Sequence, residues 1–252
     1  LFLFVNTHKM WGANIYSTLA GMIANSLSFP LMLLFIACAW RDAEDERFRL
    51  ATSLLFCLVI ASHFFTSILG GLTVACIPLL QPRRFLRTGL RLAGEVGLAL
   101  LLMAWWIVPL LAKQGYSMEF GENWDLHLLR TLPNFAVWLC PFALLGVVLG
   151  LCHRQRAVLL FVWMLLVATL LFYFGCDLAP VFVNVRLWPF LLFAYLALAA
   201  IGAGLLVRRL RGAELLVCAA AIAALVYIET PPRQRPAILP PALERFLAQT
   251  GF

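Results

Sequence analysis

The sequence predicts an all-α fold, a polytopic bundle of transmembrane helices. Of its 252 residues, 63% are hydrophobic and only 12% are charged, and the mean hydropathy is +0.94. A soluble domain carries about 45–50% apolar and about 25% charged residues. The apolar residues also lie in long runs, separated by short connectors that hold most of the arginines. This alternation is typical of helices that cross a bilayer.

The apolar runs predict about eight passes, near 23–40, 50–62, 65–80, 92–111, 135–151, 157–174, 187–207 and 213–228. One helix over residues 50–80 would be about 46 Å long, whereas the hydrocarbon core is about 30 Å thick. Two helices that turn near His63 are therefore favoured, with one long tilted helix as the alternative. The opening LFLFV predicts the end of a truncated helix. We expect residues 1–229 to form a transmembrane domain excerpted from a longer one, and residues 230–252 to form a Pro-rich extracytoplasmic tail.

The distribution of positive charge predicts the orientation in the membrane. Twelve of the nineteen Lys and Arg residues lie in four connectors, at 41–49, 81–91, 152–156 and 208–211. The positive-inside rule places these connectors in the cytoplasm, and the expected location is the inner (cytoplasmic) membrane. Such short clusters between apolar runs do not favour nucleic acid as a partner; the expected partner is membrane lipid. Glu95 follows Arg91, the last residue of the second connector, by four residues, which predicts an ion pair along a helix near the inner boundary.

Arg186 and His63 are the two strongest candidate site residues, and both are expected on the extracytoplasmic side. Arg186 stands at the mouth of an uncharged span, where a guanidinium suits bidentate phosphate binding. It could instead snorkel to the interface or pair with Asp177. His63 at a membrane–water turn could bind a phosphate or act as an acid or base, or it could be satisfied by the next loop.

Two further groups of polar residues fall on the same expected side. Near the start, the polar stretch from Asn6 to Phe29 predicts a site wall made by Asn14, Tyr16, Ser17 and Asn25. In a later loop, Glu119, Glu122 and Asp125 could bind a divalent cation or supply a general base, or simply form a solvated loop face. No cofactor other than that cation is indicated.

Four segments together resemble one family, the polytopic membrane proteins called "6-pyruvoyl-tetrahydropterin synthase-related". GANIYSTLAG at 12–21 and NSLSF at 25–29 resemble its loop G-N-x-x-S-T-x-A-G-E-F-x-x-S-L-S. SHFFTSILGGL at 62–72 resembles its T-H-x-x-T-x-L segment. AWWIVPLLAKQGY at 104–116 and VNVRLWPFLLF at 183–193 resemble its x-F-W-L-L-P-L-L and I-x-x-x-R-F-x-x-F segments.

This family is similar to GT-C-type glycosyltransferases, and the resemblance implies a GT-C-like fold and activity. It implies a polyprenyl-phosphate-linked sugar donor bound at the outer face, with Arg186 and His63 on the donor phosphate. The catalytic acid is expected upstream of this chain, and Met22 stands where the family's loop has Glu. The alternative is a non-catalytic membrane protein, either a transporter or a scaffold for envelope polysaccharide assembly. Neither hypothesis predicts an oligomeric state.

Overall fold

A computed structural model describes residues 23–113, 134–178 and 183–209, together with Thr18, Leu216 and Ala219. Regular structure in these ranges is helical. The eight α-helices in these described ranges are α1 Ile23–Asp45, α2 Leu50–Ser62, α3 Phe64–Val74, α4 Phe85–Leu102, α5 Ala104–Ala112, α6 Asn134–Cys152, α7 Arg156–Leu178 and α8 Trp188–Arg209. Short 3₁₀ helices at Ile77–Leu80, Pro82–Arg84 and Asn184–Leu187 join or extend them.

Three of the described helical segments are long and apolar enough to cross a membrane: Ile23–Asp45, Arg156–Gly175 and Asn184–Arg208. A fourth candidate is the pair Phe64–Leu80 and Pro82–Leu102, which is bent by 95° at its break. These lengths agree with the sequence prediction of an all-helical membrane protein, because about 20 apolar residues span the hydrocarbon core.

The chain reverses direction near His63, so residues 50–80 form two helices and not one. At the start of α2, Arg49 pairs with Asp42 near the end of α1. Past the end of α3, Arg84 pairs with Glu46 at 2.6 Å, so the chain has returned to the same side. The two-helix prediction is confirmed. The reversal of the chain defines two ends of the described bundle: the arginine end, with Arg49, Arg84 and Glu46, and the His63 end.

Helix α1 connects these two ends. Asn25 lies near its first residue, and Glu44 lies near its last. At 1.5 Å per residue the two are about 28 Å apart along the axis, close to the thickness of a hydrocarbon core. The core between the ends is aromatic and aliphatic: Phe29 of α1 packs on Phe190 and Phe193 of α8 at ring-centroid distances of 5.1 and 5.3 Å.

Three expectations for the charged connectors are wrong. Helix α1 runs through most of the connector 41–49 as far as Asp45, because RDAED contains good helix formers. Helix α4 begins at Phe85, inside the connector 81–91, and the span predicted over 92–111 is broken at Met103. Glu95 also makes no ion pair with Arg91 among the described residues; its Oε1 accepts a hydrogen bond from the Arg49 backbone N–H at 3.1 Å. A contact across the fold thus replaces the one along the helix.

The second half of the described fold is held by very close packing of α6 on α8. A Cβ built on Gly202 would lie 1.9 Å from the Phe142 carbonyl oxygen, and one built on Gly146 would lie 2.1 Å from that of Leu198. Small residues at such crossings let helix backbones approach each other in a membrane. The Tyr195 hydroxyl donates to the Ala136 carbonyl across the same interface. Between the two halves, Trp163 Nε1 of α7 donates to the Leu72 carbonyl of α3 at 2.9 Å.

Candidate functional site

His63 occupies the single non-helical position between α2 and α3. Its backbone is extended, at φ −162° and ψ 120°, and its N–H still bonds to the Val59 carbonyl of α2. Its side chain caps α3, because Nδ1 accepts a hydrogen bond from the Thr66 backbone N–H at 3.4 Å. The first N–H groups of a helix have no partner within it, so this cap satisfies one of them. The histidine therefore fixes the turn and presents its ring at one end of the bundle.

A buried chain of hydroxyl groups leads into the His63 ring. Thr66 Oγ1 lies 2.8 Å from Nδ1, and Ser28 Oγ lies 2.9 Å from Thr66 Oγ1. Because Nδ1 accepts from the Thr66 N–H, the Thr66 hydroxyl donates to Nδ1 and in turn accepts from Ser28. Asn25 Oδ1 is 3.4 Å from the same Thr66 oxygen. Both hydroxyls and Asn25 are almost fully buried. With Nδ1 as an acceptor, the ring proton lies on Nε2, and no residue in the described ranges accepts a hydrogen bond from it.

Arg186 brings positive charge to the same end. It lies in the 3₁₀ turn Asn184–Leu187, which leads directly into α8, and its side chain is half-buried. His63 lies outside both flanking helices; burial, and to a smaller extent the charge of Arg186, lower the pKa of His63 to about 4 from 6.5. The imidazole is therefore neutral at pH 7. A neutral N–H donor beside a guanidinium is a suitable pair of groups for holding a phosphate.

The low pKa of His63 predicts that acid destabilises the protein. The unfolded histidine binds a proton near pH 6.5 and the folded one near pH 4, so the free energy of unfolding falls as the pH is lowered through this window. The expected loss at pH 5 is about 2 kcal/mol. His63→Asn keeps a capping side chain but removes the titration, and it should flatten the profile. Chemical unfolding in detergent at pH 7.5 and pH 5 measures both.

The exposed His153 provides the matched control for this pH profile. It lies in the turn between α6 and α7. His153→Asn should retain the wild-type loss of stability on acidification. Identical profiles for the wild type and His63→Asn would contradict the assignment.

The structure brings together three of the predicted site residues and leaves the others undescribed. Asn25, His63 and Arg186 lie at one end of the bundle. The remaining predicted residues lie outside the described ranges: Asn14, Tyr16, Ser17, Glu119, Glu122 and Asp125. Within the described ranges, no group of three His, Cys, Asp or Glu side chains is placed to bind a metal ion.

Ser28 and Thr66 are part of this site and were not among the site residues predicted from the sequence. A serine inside an apolar run is ordinary in a membrane helix and carries no signal by itself. The available signal was positional. Ser28 lies three residues after Asn25, and Thr66 three residues after His63, which places each pair on one helix face.

The arginine end carries a second buried polar group that is distinct from the His63 site. The Asp42 carboxylate is fully buried and accepts hydrogen bonds from the Arg49 guanidinium and the Thr52 hydroxyl. Arg49 also bonds to the partly exposed Asp45 at 2.5 Å. Glu95 is buried beside them and accepts from the Arg49 backbone. This cluster ties α1, α2 and α4 together. Its contacts fall within the protein, which indicates a structural role.

No protein-family model, no curated protein and no solved structure matches this chain. Function is therefore inferred from the geometry of the site itself.

Proposed function

We propose that this chain is part of an integral membrane glycosyltransferase, GT-C-like and of about eight passes. The proposed donor is a sugar linked to polyprenyl phosphate, bound at the extracytoplasmic face. The observation that supports the proposal is the placement of neutral His63 and Arg186 at one end of the bundle, beside a buried chain of hydroxyl groups. Arg186 supplies the charge that a phosphate needs, and the His63 Nε2–H supplies a directed hydrogen bond.

The placement of charge supports the proposed orientation. Arg49 and Arg84 cluster at one end of α1, and His63 with Asn25 lies at the other end. Under the positive-inside rule the arginine end is cytoplasmic, which leaves the His63 end extracytoplasmic. The location we propose is the bacterial cytoplasmic membrane. A donor whose phosphate sits at the lipid–water boundary would reach the His63 end without leaving the bilayer.

A lipid-binding measurement tests the proposed donor site. The chain in nanodiscs is titrated with radiolabelled polyprenyl phosphate and with its mannosyl and glucosyl derivatives. Arg186→Ala should weaken binding of the phosphate-bearing lipids by about 10- to 150-fold, because a hydrogen bond to a charged group contributes about 1.5–3 kcal/mol. Arg186→Lys keeps the charge but loses the bidentate geometry, so an intermediate loss is expected. His63→Ala should weaken binding less than Arg186→Ala, since it removes one neutral donor.

Arg208→Ala is the control for general loss of charge. Arg208 is exposed and lies near the end of α8, the helix whose start follows Arg186. Binding should be unchanged in this variant. Equal affinity in the wild type, Arg186→Ala and His63→Ala would rule out the assigned roles. If no polyprenyl phosphate binds even to the wild type, the transporter or scaffold hypothesis becomes the better one.

A further inference from the structure

The arginine end contains a basic pocket that the proposed donor site does not use. Its volume is about 520 Å³, and it is lined by Glu44, Gln81, Pro82, Arg83, Arg84 and Arg156. Three separate parts of the chain meet there: the end of α1, the link around the 3₁₀ helix Pro82–Arg84, and the first residue of α7. The pocket therefore exists only in the folded bundle and is not a property of one basic connector.

The charge of this pocket is only partly balanced within the protein. Arg84 pairs with Glu46 at 2.6 Å. Arg83 and Arg156 are exposed, and neither makes a salt bridge with any residue in the described ranges. Two guanidinium groups thus face a cavity whose lining includes a single carboxylate, Glu44. An anionic group, and a phosphate in particular, is the complementary ligand.

An apolar groove of about 400 Å³ lies on the same two helices, α1 and α7. Its walls include Ile36 and Trp40 of α1, Ala157 and Leu160 of α7, and Phe193 of α8. Ala157 directly follows Arg156. On α1, Trp40 lies four residues before the pocket residue Glu44, and hence on the same face of that helix.

A basic pocket and an apolar groove on the same two helices suit the two parts of a lipid, its headgroup and an acyl chain. We propose that they bind one anionic glycerophospholipid of the membrane leaflet at the arginine end. Its phosphate lies on Arg83 and Arg156, and one acyl chain lies in the groove. Inorganic phosphate would occupy the pocket alone, and a zwitterionic lipid would bring its own positive charge towards two arginines. Basic pockets between transmembrane helices are known sites for anionic headgroups.

Native mass spectrometry of the intact chain, purified in detergent, tests this site with phosphatidylglycerol and phosphatidylcholine as probes. We expect one phosphatidylglycerol to bind per chain. This complex should persist under conditions that remove phosphatidylcholine from the chain. The double variant Arg83→Ala/Arg156→Ala should lose about 30-fold in phosphatidylglycerol affinity, at about one kcal/mol for each arginine near the lipid surface. Ala37→Trp, which fills the groove from an exposed position, should weaken the same lipid while leaving both arginines in place.

The control variant Arg154→Ala/Arg208→Ala removes the same charge from exposed positions that do not line the pocket. It should lower phosphatidylglycerol affinity less than threefold. Equal losses of phosphatidylglycerol affinity in the two double variants would overturn the proposal. They would show that the lipid responds to the overall surface charge and not to this pocket. Displacement of the lipid by 10 mM inorganic phosphate, with no effect of Ala37→Trp, would show an anion pocket without a lipid chain. Preference for polyprenyl phosphate over phosphatidylglycerol would overturn the proposed occupant.

Discussion

Gly202→Ala is expected to abolish stable folding of the helical bundle. A Cβ at this position would lie 1.9 Å from the Phe142 carbonyl oxygen and 2.6 Å from the Gly146 backbone nitrogen. Both neighbours are backbone atoms of α6, so no side-chain rotation can relieve the clash. The helices would have to separate by about 1.5 Å to bring the shorter distance to an ordinary contact of 3.4 Å. Overpacking that side chains can absorb costs about 1–3 kcal/mol, and we expect at least the upper end of that range here.

The measurement is the fraction of detergent-solubilised protein that remains monodisperse in size-exclusion chromatography after heating. Gly204→Ala is the matched control, because it makes the same substitution two residues later on α8, where a Cβ would meet nothing within 4 Å. It should be neutral or slightly stabilising, since alanine is the better helix former. If the two variants lost the same amount of folded protein, that result would contradict the close approach of α6 and α8 at Gly202.

The helices could be predicted from the sequence because their signals are local. A long apolar run specifies a membrane helix by itself, and length alone favoured a break within residues 50–80 over one long tilted helix. The ends of the helices were less predictable. Charged residues at 41–45 and 85–91 suggested loops, yet they remain helical because their backbone bonds are intact and their side chains can reach water or a partner. Charge composition therefore marks the end of a span and not the end of a helix.

The site could be predicted from the sequence only where a single residue is unusual for its position. An ionisable residue at the mouth of a span is costly, and this is why Arg186 and His63 could be named. The partners that set their chemistry could not be named, because Ser28 and Thr66 are separated by 38 residues in the chain and meet only through packing. The same limitation explains the wrong Arg91–Glu95 pair. Helical spacing makes a contact available, and the tertiary fold decides whether it forms.

Asp42→Ala should cause the second large loss of stability, at the opposite end of the molecule. The Asp42 carboxylate is fully buried, and it accepts from both the Thr52 hydroxyl and the Arg49 guanidinium. Its removal leaves the buried Thr52 donor unsatisfied, at about 1–3 kcal/mol, and takes a charged partner from Arg49. We therefore expect the free energy of unfolding to fall by at least about 2 kcal/mol. Unfolding by SDS in mixed micelles at pH 7.5 measures this change.

Asp45→Ala tests whether stability depends on the burial of a carboxylate or only on its ion pair with Arg49. Asp45 bonds to the same guanidinium at 2.5 Å, but its side chain is 43% exposed, so water can replace the lost contact. Exposed ion pairs contribute little to stability, and the unfolding midpoint should barely move. Asp42→Asn, which keeps the volume and one acceptor oxygen, should fall between the two. Equal losses for Asp42→Ala and Asp45→Ala would mean that Arg49 needs only a nearby negative charge, and that the buried contact between α1 and α2 does not hold the arginine end together.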